Sequence, residues 1–137
     1  MILLTKAREF VPKRGYYYRS WMTVKYMITM AFDLSLHEHY DEHRVKNGCK
    51  LSQADCMVRT RVWQVLFDLE ILVGAPQGRT DFSVDVETVD FTIPVASSEI
   101  DAFEYQTSRR FTYLTQAFRN IKQTNSLWQN TRRYKSG

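Results

Sequence analysis

Cysteine, proline and glycine are scarce in this chain, and long apolar runs are missing. Of 137 residues, 2 are Cys, 3 are Pro and 5 are Gly. So little Gly and Pro leaves few positions for the many tight turns of an all-β fold. The cysteines, Cys49 and Cys56, form no CxxC pair, which points to free thiols in a reducing compartment. No apolar stretch approaches the ~18 residues that span a bilayer. The initial MILL is too short for a signal-peptide core and is followed by charges. These absences point to a soluble intracellular protein. Catalytic signatures are also lacking: there is no Gly-rich phosphate loop and no GxSxG elbow.

What is present is apolar and basic. The chain is 44% hydrophobic and 14% aromatic, enough to bury a substantial core within one domain, and its net charge is +4. Glu104 is the last acidic side chain. Arg109, Arg110, Arg119, Lys122, Arg132, Arg133 and Lys135 follow it, interleaved with Phe111, Tyr113, Trp128 and Tyr134. Such an end could meet nucleic acid. A solvated helix face explains it more simply, because surface helices are commonly rich in Lys and Arg. We therefore expect no specific DNA-binding residues in this chain.

Three helical patterns stand out. The first runs from about Arg14 to Leu36, with Trp21, Val24, Ile28, Ala31 and Phe32 at helical spacing. The second begins at Ser52, whose S-x-x-D relation to Asp55 marks a helix N-terminus. Val58, Val62, Val65, Leu69 and Leu72 then recur at intervals of four and three, widened by Leu66 and Val73. This pattern stops at Gly74-Ala75-Pro76. The third begins at Ser97 or Ser98, after Pro94. Ile100, Phe103, Thr107, Phe111, Leu114, Phe118, Ile121, Asn125 and Trp128 hold its stripe, a length that calls for packing on neighbouring helices or fraying at the end. Between the second and third helices, Gly78 to Pro94 reads as an extended, ordered loop. Phe82, Val84 and Val86 alternate with polar residues, but a lone strand would lack partners for its N–H and C=O groups.

All three histidines, His37, His39 and His43, lie in one short acidic stretch ahead of Cys49 and Cys56. His39 and His43 would stand one turn apart on a continuous helix and could share a metal. The Glu expected beside the first His of an HExxH site is missing, and the cysteine spacing matches no common zinc motif. His37 fits the last turn of a helix, where it meets the carbonyl end of the macrodipole. The expectation is a helix end, with no catalytic, cofactor-binding or metal residues. The alternative is a small helical metal-binding protein or enzyme using His37, His39 and His43. The acids Asp85 and Glu87 on the loop, with Asp90, admit a cation site but read more simply as solvated.

Two blocks carry a resemblance. SWMTVKYMITMAFDLSLHEH, Ser20 to His39, resembles the pattern "aW…aiRmA.dlGLHr" through Trp21, Met30, Ala31, Asp33, Leu34, Leu36 and His37. The stretch from Arg59 to Pro94 resembles "R.RlWW.lf.lDr..s...GRP..i.d.d.d...P" through Arg59, Arg61, Val62, Trp63, Leu66, Phe67, Leu69, Gly78, Arg79, Asp85 and Pro94. Both patterns are those of the fungal-specific transcription factor domain, the regulatory region of binuclear zinc-cluster activators of the xylanolytic type, which the chain therefore resembles. The blocks span Ser20 to Pro94, a little over half of the chain. Ser35 replaces the Gly before Leu-His, Gln64 a second Trp, Glu70 an Asp and Thr80 the Pro after Gly-Arg. Pro76 falls where the family helix often continues.

The resemblance implies an all-α, bundle-like fragment of a larger helical regulatory domain, with an extended loop around 78–96. It implies a nuclear, non-enzymatic regulator of transcription. DNA and zinc would be bound by an N-terminal cluster of six cysteines that this chain lacks, so the chain is expected to be a fragment or a truncated gene product. Regulatory protein partners are implied, a homodimer is admitted, and no membrane is involved. Trp21, Trp63 and Phe67 are expected in the core. Arg59, Arg61 and Arg79 are expected to pair with Glu70, Asp81 or Asp85, since the planar guanidinium binds carboxylates bidentately.

Overall fold

The structure, a computed structural model, describes Met1, Ile2 and residues 16–135, with the side chains of 19–132 and 134. Helix α1 spans Tyr16–Asp33, α2 spans Gln53–Gly74 and α3 spans Ala102–Lys135. Short turns fill the connections: 3₁₀ turns at Leu36–Glu38, Ala75–Gln77 and Val86–Thr88, and a π-helical turn at Asp41–Val45. The described residues form no strand. The fold is all-α. No described helix is long and apolar enough to cross a membrane.

The helix ends follow local chemistry. Ser52 Oγ accepts from Asp55 N at 3.1 Å and donates to Asp55 Oδ2 at 2.7 Å, closing the expected start of α2. Helix α2 stops at Gly74 and relaxes through a 3₁₀ turn into Gly78, whose φ is +66°. The expected start of the third helix at Ser97 or Ser98 is too early. Ser97 closes only a local turn, and Asp101 caps the helix by accepting from Phe103 N at 2.9 Å and Glu104 N at 3.2 Å. The carboxylate is the stronger cap because it also carries charge to the positive end of the dipole. The expected start of the first helix, at Arg14, lies outside the described residues. Its end comes at Asp33, earlier than Leu36, because Ser35 turns left-handed at φ 52° and breaks the ladder.

Helix α2 is the centre of the molecule. It packs against α1 on one side and α3 on the other. Trp21, Val24, Met27, Ile28 and Ala31 of α1 meet Trp63, Leu66, Phe67, Ile71 and Val73 of α2, and Val84 and Val89 of the loop close the cluster. Trp21 and Trp63 are each 3% exposed and Phe67 is fully buried, as expected. Gly74 is needed for this packing: a Cβ there would stand 2.6 Å from the Trp21 ring.

Two apolar stripes do not mark the core. On α2, Val58 and Leu72 are exposed, while Gln64, Asp68 and Glu70 are buried. A helix with neighbours on both sides buries most of its circumference, so a single apolar stripe cannot locate its contacts. On α3, Phe103, Leu114, Ile121 and Trp128 are exposed. Its buried positions are Ser108, Thr112 and Thr115.

Candidate functional site

The interface between α2 and α3 is a ladder of polar rungs. Arg61 pairs with Glu104 and donates to Ser108 Oγ at 3.3 Å. Gln64 donates to Thr112 Oγ1 at 3.3 Å and to the Asp90 carbonyl at 2.7 Å. Thr115 Oγ1 donates to Asp68 Oδ2 at 2.9 Å. The partners recur every three or four residues on both helices, which keeps them on facing sides. Burial pushes the Asp68 carboxyl up to about 7, and the Thr115 hydroxyl offsets only part of that.

The loop from Gly78 to Pro94 is extended apart from its single turn, and its backbone is paired by side chains instead of a second strand. Glu70 Oε1 accepts from Ser83 N at 2.6 Å and Oε2 from Val84 N at 2.9 Å. Lys25 Nζ donates to Glu70 at 2.6 Å, to Ser83 Oγ at 2.7 Å and to the Asp81 carbonyl. Lys122 Nζ donates to the Val84 carbonyl at 2.9 Å, and Gln116 to the Phe91 carbonyl at 2.9 Å. Burial draws the Lys122 ammonium below its ordinary value. All three helices thus hold one segment in place.

The expected arginine pairs are mostly replaced. Arg79 does reach Asp81 at 3.7 Å, and it also lies over the Trp21 ring at 4.6 Å. Arg61 turns to Glu104. Arg59 donates to the Leu34 carbonyl at 3.4 Å, and Glu70 takes Lys25 as its cation. Glu70 lies buried between α1 and the loop, where Lys25 on the adjacent helix α1 is in reach and the two arginines in the N-terminal half of α2 are not. Two of the three loop acids serve the fold, each at a separate place. Asp85 caps the Val86–Thr88 turn, and Asp90 pairs with Arg44 at 2.9 Å while accepting from Thr92 N. Glu87 is exposed.

Several cations at the basic end make contacts within the chain. Arg119 lies over Phe91, Arg132 over Trp128 and Arg109 beside Tyr113. The side chains of Arg133 and Lys135 lie outside the described residues.

The histidines divide. The His37 ring packs edge-on to Phe32 at 4.6 Å and faces Trp63 at 6.3 Å. The terminal carbonyl of Leu34 receives Arg59, so His37 acts as a packing group and not as the helix-end donor. His39 is 4% exposed, so this part of the expected helix end is buried. It sits just past the 3₁₀ turn and stacks on His43 of the π turn, centroids 5.4 Å apart and planes 20° apart. Its Nε2 is buried with no partner. Burial, then His43, lower its basicity. Cys56, in the first turn of α2, completes a group with His39 and His43 in which all three ligand atoms lie within 4.8 Å of one another. Cys49 Sγ stands 3.4 Å from Cys56 Sγ. Burial, and then the neighbouring Cys49, push the Cys56 thiol up to about 11.

Beside this group lies a cleft of about 600 Å³, walled by His43, Arg44, Cys56, Arg61, Asp90 and Thr112 among others. It brings charged groups of both signs to one opening between α2, α3 and the loop. The buried polar ladder was not legible beforehand. Its signal was the run of Thr and Ser on the third helix facing Arg61, Gln64 and Asp68 at matching intervals. No family model matches this chain, and no curated protein and no solved structure is significantly similar to it.

Proposed function

We propose that this chain is a regulatory segment of a transcription factor of the fungal zinc-cluster kind. It serves as a helical scaffold that couples an inducer or a protein partner to transcription in the nucleus. It is not an enzyme, and DNA is bound through a separate six-cysteine module.

The observation that carries this reading is the backbone at two positions. The resembled pattern has Gly before Leu-His and Gly before Arg. The corresponding Ser35 and Gly78 have φ of +52° and +66°, and apart from Asn47 they are the described residues with positive φ. A pattern glycine marks a place where the chain needs the left-handed region, so a Ser that adopts it against its own preference supports the correspondence. The two resembled blocks also pack on each other, through Trp21 and Ala31 on one side and Trp63, Leu66 and Phe67 on the other.

Exposed apolar side chains favour a segment of a larger helical assembly. Met22, Tyr26 and Met30 on α1, and Phe103, Leu127 and Trp128 on α3, are 46–77% exposed. Apolar surface of that kind is ordinarily covered by protein. The test is the full-length transcript. Its reading frame should encode a C-x2-C-x6-C cluster upstream of the Met1 codon. An in-frame stop codon there, with no such cluster, contradicts the proposal.

A further inference from the structure

The connection from Leu34 to Ser52 has little to hold it down. Leu36 is its only buried apolar side chain. The other buried group is His39, an imidazole with an unpaired buried nitrogen, which costs free energy unless something satisfies it. Two further soft or borderline ligands converge on it, and a third lies one contact away. His43 stacks beside it, Cys56 closes the triangle and Cys49 touches Cys56.

We propose that His39, His43, Cys49 and Cys56 form a structural zinc site that staples this connection to the first turn of α2. Zinc prefers four N and S ligands in a tetrahedron, with Zn–N near 2.0–2.1 Å and Zn–S near 2.3 Å. Those lengths put neighbouring ligand atoms roughly 3.3–3.8 Å apart. The Cys49–Cys56 separation of 3.4 Å already lies in that range, and His39, His43 and Cys56, within 4.8 Å of one another, need only an ångström-scale closure, with Cys49 brought to the ion through its contact with Cys56. All four ligands come from one short H-x3-H-x5-C-x6-C stretch, so a single local motif can assemble around the ion. Two thiolates and two neutral imidazoles balance the dication, leaving no buried net charge. On binding, each thiol releases its proton to solvent and its sulfur lone pair goes to the metal, with no change of oxidation state.

The site is independent of the transcriptional reading: it concerns the fold of residues 39–56 and stands or falls without it. His37 has no part in it: its ring packs on Phe32 and Trp63, and it is not among the residues whose ligand atoms converge, although its Nδ1 is also buried without a partner.

The experiment uses the whole chain, purified with reductant and dialysed with zinc. Metal content should be about one equivalent. Cobalt(II) in place of zinc should give intense tetrahedral d–d bands together with thiolate charge transfer. His43→Gln should weaken retention against a chelator roughly tenfold or more, as the loss of a ligand does, while His37→Gln leaves it unchanged. Should Cys56→Ser fail to fold, the wild type supplies the result instead: chelation lowers its melting temperature and added zinc restores it. Substoichiometric zinc in folded wild-type protein overturns the proposal. So does a cobalt spectrum without thiolate bands, or a Cys49–Cys56 disulfide that persists in reductant.

Discussion

The Lys25 ammonium lies 2.6 Å from the buried Glu70 carboxylate and joins α1, α2 and the loop at one point. Glu70 is 1% exposed and also takes two backbone N–H groups of the loop, so its charge is matched on every side. Glu70→Ala removes the acceptor for three donors and leaves Lys25 partly buried. The expected loss is about 3–5 kcal/mol, typical of breaking such a pair from one side. Urea unfolding of the two proteins measures it, and a change below about 1 kcal/mol would mean that the loop is held by other contacts.

Trp63 fills the contact between α2 and α1, and its indole N–H donates to Thr88 Oγ1 at 3.0 Å. Trp63→Ala should cost roughly 3–5 kcal/mol through lost burial and an unfilled cavity. Trp63→Phe keeps most of the ring and should cost markedly less. Far-UV circular dichroism during thermal unfolding distinguishes them.

Ser35 occupies the left-handed region at φ 52°, where an L side chain is disfavoured. Ser35→Gly should therefore raise stability, by up to about 1 kcal/mol after the extra chain entropy of Gly is offset. Ser35→Val should lower it by more than that, because a β-branched residue resists this region most. If both substitutions are neutral, the turn is not strained.

Asp68 gives a pH dependence. Its carboxyl ionises near 3.8 when unfolded but holds its proton up to about 7 when folded. The folded state therefore binds more protons between those values. The contribution of Asp68 to stability is fully present below the unfolded value and is lost as pH rises through about 7. Asp68→Asn, which stays neutral and keeps an acceptor for Thr115, should melt several degrees above wild type at about pH 8. The difference should shrink or reverse near pH 5. A constant difference across that range would mean that Asp68 is ionised throughout.

The elements that periodicity could reveal were legible, and those set by tertiary polarity were not. Helix α2 announced itself at both ends, because Ser52 with Asp55 and Gly74 with Pro76 act locally. The start of α3 was missed because Ser97 and Ser98 offer the same hydroxyl cap that Asp101 offers more strongly. The stripe of Phe103, Leu114 and Ile121 pointed away from the packed face, since Ser108, Thr112 and Thr115 satisfy Arg61, Gln64 and Asp68 there. Polar rungs leave no apolar period to read. The loop was recognised as unpaired, but its partners were side chains far away in the sequence: Lys25, Glu70, Gln116 and Lys122. The burial of His39 was not legible, because the π turn that places His43 beside it has no sequence signature.

The claim that this chain regulates transcription is tested most directly by a reporter. Residues 1–137 are fused to a heterologous DNA-binding module and expressed in a fungal nucleus beside the module alone. The account predicts that the fusion shifts reporter output in either direction. It also predicts that Trp63→Ala, which dismantles the packing of α1 on α2, abolishes the shift. Equal output from the fusion and the module alone, with the fusion present at the same level and folded, would contradict it.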